Sequence, residues 1–97
     1  MKEEEIYKKA VEHWGRHLQC WKLFEELVEL QKAVIKLALE KDEERKKKRT
    51  YSLIGEMVDV EIMLQQLRHV IDFNKDDYNA IKKIKLIKVE RMLEKEE

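Results

Sequence analysis

Two pairs of acids, each three residues apart, sit inside apolar runs of this 97-residue chain. The stretch "FEELVEL" (24–30) carries Glu26 and Glu29, and "IGEMVDVEIML" (54–64) carries Glu56 and Asp59. Positions three apart on a helix differ by about 60° the short way round, so each pair points one way, one turn apart. If the two helices pack antiparallel, the pairs can face each other. Four carboxylates in a small volume repel and resist ionising together. A hard divalent cation relieves that repulsion. Mg²⁺, with Mn²⁺ as a substitute, suits carboxylate, water and phosphate oxygens. His13 and His17 are four apart, but they fall at a helix joint with no third ligand, which excludes zinc. The same acid spacing also describes an ordinary solvated face in a chain that is 43% charged.

The elements that would carry these acids are four helices, over residues 2–13, 15–40, 51–73 and 75–95. Trp14-Gly15 marks the first joint, since glycine is a poor helix interior residue. Thr50 is the expected N-cap of the third helix and Asn74 of the fourth, with Asp76 and Asp77 favouring the positive end of the last helix dipole. Leu23, Leu27, Leu30, Val34 and Leu37 recur at steps of four and three, and Ile54, Val58 and Ile62 continue that pattern on the next helix. The fourth helix is apolar over a wide arc, including Ile81, Ile84, Leu86, Ile87, Val89, Met92 and Leu93. So wide an arc calls for more than one neighbour, and a partner subunit supplies the second. Between the second and third helices, "EKDEERKKKRT" (40–50) is all charge apart from its last residue and reads as a solvated connector or a frayed helix end.

Composition narrows the function classes. The chain has no proline and two glycines, and Leu, Ile, Glu and Lys dominate, which favours an all-α fold in a single domain spanning 1–97. Lys plus Arg number 21 and so do Asp plus Glu, so no net basic field draws the chain to nucleic acid. The basic run 45–49 is the one feature that would contact a nucleic acid. The longest apolar run is three residues, which predicts no membrane span and no signal peptide. Cys20 is the lone cysteine and reads as a small half-buried side chain. A cytoplasmic location is the expectation.

The order ExxE, a gap of 26 residues, then ExxD resembles the MazG-like, all-α nucleoside triphosphate pyrophosphohydrolase superfamily, which includes dimeric dUTPases and dCTP pyrophosphatases. "HWGRHLQ" (13–19) is similar to the Trp-Gly segment ahead of the first acid helix in small phage and prophage members. "DVEIMLQQL" (59–67) resembles the continuation of their third helix, and "KVERML" (88–93) the basic positions of their last. The resemblance covers roughly residues 10 to 94. It implies an oligomeric four-helix bundle, dimer or tetramer, that hydrolyses a nucleoside triphosphate to a monophosphate and pyrophosphate as a house-cleaning enzyme. Glu26, Glu29, Glu56 and Asp59 would be the Mg²⁺ ligands, with Glu29 the residue that orients or deprotonates the attacking water. Lys88 and Arg91 would contact phosphate oxygens. The last helix departs from the lysine–asparagine pattern of longer members, which bears on phosphate contacts and substrate choice.

Residue by residue, Lys22 lies one turn before Glu26 and can reach phosphate or pair with that acid. Trp14, Gln19 and Trp21 cluster just ahead of the acids. An aromatic face can stack on a base and a glutamine amide can read its edge, so these three form the candidate base pocket. The alternative function is a catalytically inactive helical oligomerisation or interaction module of the same fold.

Overall fold

Glycine 15 divides what would otherwise be one long helix. In the computed structural model, which describes residues 1–96, its φ of 83° and ψ of 163° leave the helical region inside α1 (Glu3–Leu39). That backbone region is essentially reserved for glycine, so the sequence places one of its two glycines where the helix must bend. The two arms of α1 are the first two helices expected from the sequence. Glu3, Glu4 and Glu5 open the first turn, where acids favour the dipole.

The second element starts earlier than its apolar pattern suggests. α2 runs Glu43–Leu67 and absorbs most of the charged run that was expected to be a solvated connector or a frayed helix end, so the run is the start of a helix rather than a connector. Asp42, not Thr50, is the N-cap: its Oδ2 accepts from the Arg45 backbone N–H at 2.9 Å. Acids first and bases later is the charge order a helix start prefers, and Glu43 reaches Lys46 at 3.2 Å on the first turn. Thr50 lies inside the helix and donates from Oγ1 to the Lys46 carbonyl at 2.8 Å. At the other end α2 stops at Leu67, and residues 68–72 form turns rather than the helix expected to reach Phe73. The Arg68 guanidinium stacks over the rings of Phe73 (4.5 Å) and Tyr78 (4.7 Å), fixing the corner into α3 (Lys75–Glu96). Asn74 caps α3 as expected, its Oδ1 accepting from Asp76 N–H at 2.8 Å and Asp77 N–H at 3.0 Å.

α1 and α2 form an antiparallel hairpin closed by a partly buried pair, Arg49 Nε to Glu40 Oε1 at 3.2 Å. Its seam follows Leu23, Glu26, Leu30, Ala33 and Leu37 on α1, and Leu53, Glu56, Val60 and Met63 on α2, all buried or half-buried. The expected stripe is right at Leu23, Leu30 and Leu37. It fails at Leu27, Val34, Ile54, Val58 and Ile62, which stay exposed. The apolar arc of each helix is wider than one partner can cover, so the hairpin buries one edge and leaves the other bare.

α3 packs against neither α1 nor α2, and none of its residues is buried. Among the described residues the chain is therefore all-α, with three helices, and one chain does not close a bundle. The radius of gyration, 17.1 Å, exceeds the roughly 13 Å of a compact 100-residue domain. The exposed surface is 8603 Å², whereas a compact chain of 11.9 kDa exposes about 5,900 Å². Among the described residues no helix is long and apolar enough to cross a membrane.

Candidate functional site

The hairpin seam carries the acids. Glu26 on α1 and Glu56 on α2 occupy seam positions between Leu23 and Leu30 and between Leu53 and Val60, and both are half-buried. Asp59 sits one turn beyond Glu56 and is exposed. An oxygen from each of Glu26, Glu56 and Asp59 lies within 4.8 Å of the other two. The fourth expected ligand, Glu29, falls outside this close group. It points along the next turn of α1, where it pairs with Lys32 at 3.4 Å.

The electrostatics follow from that crowding. The Glu56 carboxyl is held above its ordinary range, first by loss of water around it and then by the negative charges of Asp59, Glu26 and Glu29. Glu29 thus acts on the cluster from one turn away. Among the described residues Lys22 supplies the opposing contact from α1: its ammonium lies 3.1 Å from Glu26 and 3.6 Å from Glu25. Hydrogen bonding to Glu26 and that acid's charge push the lysine above its ordinary value, with Glu25 adding to the effect against a smaller desolvation penalty. Three carboxylates converging on a small volume are a donor set of hard oxygens, which fits Mg²⁺ or Mn²⁺ better than a soft metal.

One turn and more toward the Gly15 joint, the groove widens into a cavity of about 430 Å³. Trp14, Gln19, Trp21 and Lys22 line it from α1, and Met63 and Gln66 from α2. The three expected base-pocket residues therefore share one cavity. Trp14 and Trp21 remain more than half exposed, so their faces are open to a planar ligand. Gln19 is 6% exposed, and its Nε2 donates to the Ala10 carbonyl at 3.5 Å across the joint. Among the described residues its Oε1 has no hydrogen-bond partner, an arrangement that costs about 1–3 kcal/mol unless a donor arrives.

Gln66 and Met63 escaped the base-pocket reading, although their signal is present. Gln66 is seven residues after Asp59, and Gln19 is seven before Glu26, so each glutamine lies two turns along its own acid's face. Lys88 and Arg91 are placed elsewhere: they line a separate groove on α3, which does not touch the hairpin. Within one chain they do not meet the acids.

No family model, curated protein or solved structure matches the chain.

Proposed function

We propose that this chain is a Mg²⁺-dependent nucleoside triphosphate pyrophosphohydrolase. The observation that carries the reading is the convergence of Glu26, Glu56 and Asp59 within 4.8 Å, beside a cavity walled by two tryptophans and two buried glutamines. The resemblance of the ExxE and ExxD pattern to the MazG-like superfamily supports the same assignment. A bound divalent cation would neutralise phosphate charge and lower the pKa of a coordinated water. The remaining work falls to the chain. Water adds to the α-phosphorus, a carboxylate takes its proton, and the Pα–O–Pβ bond breaks with its electron pair leaving on pyrophosphate. Glu29, outside the close group and one turn from Glu26, would take the proton once released from Lys32. Trp14, Trp21, Gln19 and Gln66 would hold the base, and Lys22 would turn from Glu26 to the phosphates.

The active form in this reading is a homo-oligomer, dimer or tetramer, in which a second copy completes the four-helix packing. The chain exposes roughly 2,700 Å² more surface than a compact protein of its mass, so two copies together hold about 5,400 Å² of excess, at the upper end of what obligate interfaces bury. Lys88 and Arg91 would then reach phosphate from the second copy's α3.

A second reading has its own observation. α3 exposes Ile81, Ile84, Leu86, Val89, Met92 and Leu93 and, among the described residues, packs on neither α1 nor α2, with Tyr78 at its start meeting only the corner at Arg68 and Phe73. That favours a helical oligomerisation module whether or not catalysis is retained. The experiment that separates the two is pyrophosphate release from a panel of nucleoside triphosphates with Mg²⁺ titrated into the pure protein. Release that stops on chelation, and falls more than about 100-fold in Glu56→Ala and Asp59→Ala, supports the hydrolase. A stable oligomer with no release from any substrate leaves the module.

A further inference from the structure

Beyond the acids, on the side away from the tryptophans, the hairpin groove holds a second cavity of about 220 Å³. Lys32 and Lys36 of α1 and Arg49 and Ser52 of α2 line it, together with Glu29 and Glu56. We propose that this basic notch is the subsite for the leaving pyrophosphate, so that a triphosphate lies along the groove with its base at Trp14 and its β- and γ-phosphates at Lys32, Lys36 and Arg49. The inference rests on the hydrolase reading for its direction, and on the notch's own chemistry for its ligand.

Three cations face one small cavity. Lys32 and Lys36 are four apart on one helix, a spacing at which like charges repel. Lys36 makes no ion pair among the described residues. Lys32 leans 3.4 Å from Glu29, and Arg49 gives its Nε to Glu40 at 3.2 Å. Of the two carboxylates in the notch, Glu56 belongs to the acid group and Glu29 lies one turn from Glu26, so a cation bound by that group would offset their charge and leave the notch positive. A polyanion with several oxygens is the ligand that such a site takes, and Ser52 offers a hydroxyl beside the cations.

The spacing agrees. Gln19 and Glu26 are seven residues apart, and so are Glu26 and Ala33 at the notch wall, roughly 10 Å along the axis in each direction. Base cavity, acids and notch therefore lie in a row, with the acids in the middle where the Pα–O–Pβ bond would sit. The same order predicts how the products part: the monophosphate stays with the tryptophan cavity and pyrophosphate with the lysines. The signal in the sequence is Glu29, Lys32 and Lys36 at steps of three and four on one helix face.

The test is calorimetric titration of the full-length chain with pyrophosphate and, separately, a nucleoside monophosphate, both in Mg²⁺. The variants are Lys36→Ala, Lys36→Arg and the double Lys32→Ala/Lys36→Ala; both lysines are exposed, so folding is not at stake. The expected result is pyrophosphate binding weakened at least tenfold in the double variant and less in Lys36→Ala, largely retained in Lys36→Arg, with monophosphate binding within twofold of the parent in all three. Equal pyrophosphate binding in parent and double variant, or no binding by the parent, overturns the notch. If the parent hydrolyses no triphosphate yet binds pyrophosphate through these lysines, the hydrolase reading fails and the notch stands. If it hydrolyses and the lysine variants change neither pyrophosphate binding nor product inhibition, the notch alone fails.

Discussion

The ammonium of Lys22 lies 3.1 Å from Glu26 Oε1, at the edge of the group formed by Glu26, Glu56 and Asp59. A cation thus already answers part of the cluster's charge. It comes from a half-exposed side chain that can move away, whereas Glu26 is almost covered. The lysine and a metal ion compete for one carboxylate. Lys22→Ala should therefore bind Mg²⁺ alone more tightly, by about threefold, the scale of an exposed ion pair. If the released ammonium serves the phosphates as proposed, the sign should reverse with nucleotide present, and KM should rise about tenfold or more. Opposite movements of metal affinity and KM are the signature. Parallel movements would mean that Lys22 only props up the acid.

Glu56 gives a pH dependence whose sign is fixed by the crowding around it. Its folded-state pKa lies above the ordinary 4.5, so ionisation opposes folding. The stability it contributes is complete below about pH 4.5 and is lost as pH rises through the folded value. Glu40 runs the other way. Partial burial raises it, but the Arg49 hydrogen bond, the Asp42 N–H and the charges of Arg45 and Arg49 outweigh that and hold it below 4.5. Its contribution is present above that pH and is lost on acidification. Glu56→Gln should therefore unfold at a higher temperature than the parent at pH 7 without metal, and at the same temperature near pH 4. Saturating Mg²⁺, at a hundredfold excess over Kd, should stabilise the parent by about 2.7 kcal/mol and the variant far less. Thermal melts at the two pH values, with and without Mg²⁺, check both arms.

How much of this could be read from the sequence depends on which interaction set each feature. The acids were legible because a three-residue step on a helix places them without tertiary knowledge, and the Gly15 joint because glycine alone tolerates that backbone. The start of α2 was not, since apolar periodicity begins at Leu53 while the helix itself is nucleated by Asp42 and the acid-then-base order after it. The seam was half legible. Leu23, Leu30 and Leu37 belong to both possible edges of α1, and only the hairpin's rotation decides that Glu26 and Ala33 turn inward while Leu27 and Val34 turn out. The separation of Glu29 from the other three acids follows from that same rotation, which no pattern within one helix records.

The joint at Gly15 can be tested by one methyl group. A Cβ there meets nothing within 4 Å, so any cost comes from the backbone alone, φ being +83°. Holding alanine in that conformation costs about 1–3 kcal/mol, and a domain of this size loses roughly 4–8 °C of melting temperature per kcal/mol. Alanine is also the best helix former, so the strain can be relieved by straightening α1. Straightening would carry Ala10 away from Gln19 and open the cavity beside Trp14. Gly15→Ala should therefore melt lower, raise KM for the nucleotide and leave kcat less affected, since the acids lie two turns or more beyond the joint. An unchanged melt and KM would show that the bend is not required.

α3 decides whether one chain is the working unit. Ile84 is 68% exposed and Leu86 58% exposed on a helix that touches neither arm of the hairpin, while Leu27, Val34, Ile54, Val58 and Ile62 stand bare on the hairpin itself. Covering two such faces with each other removes both from water at roughly 25 cal/mol for each Å² of apolar area. A carboxylate placed in the middle of that contact would be buried without a partner, which is strongly unfavourable. Ile84→Asp should therefore weaken self-association at least 100-fold, seen as a monomer by sedimentation at concentrations where the parent is an oligomer, and a central interface residue is the right place to see so large an effect. Lys85→Asp, also on α3 but within its charged positions, should have a much smaller effect. If Lys88 and Arg91 act on the neighbouring copy's groove, Ile84→Asp should also lose turnover while still binding Mg²⁺. A parent chain that sediments as a monomer would leave α3 unpaired and the lysine and arginine on it without access to the acids.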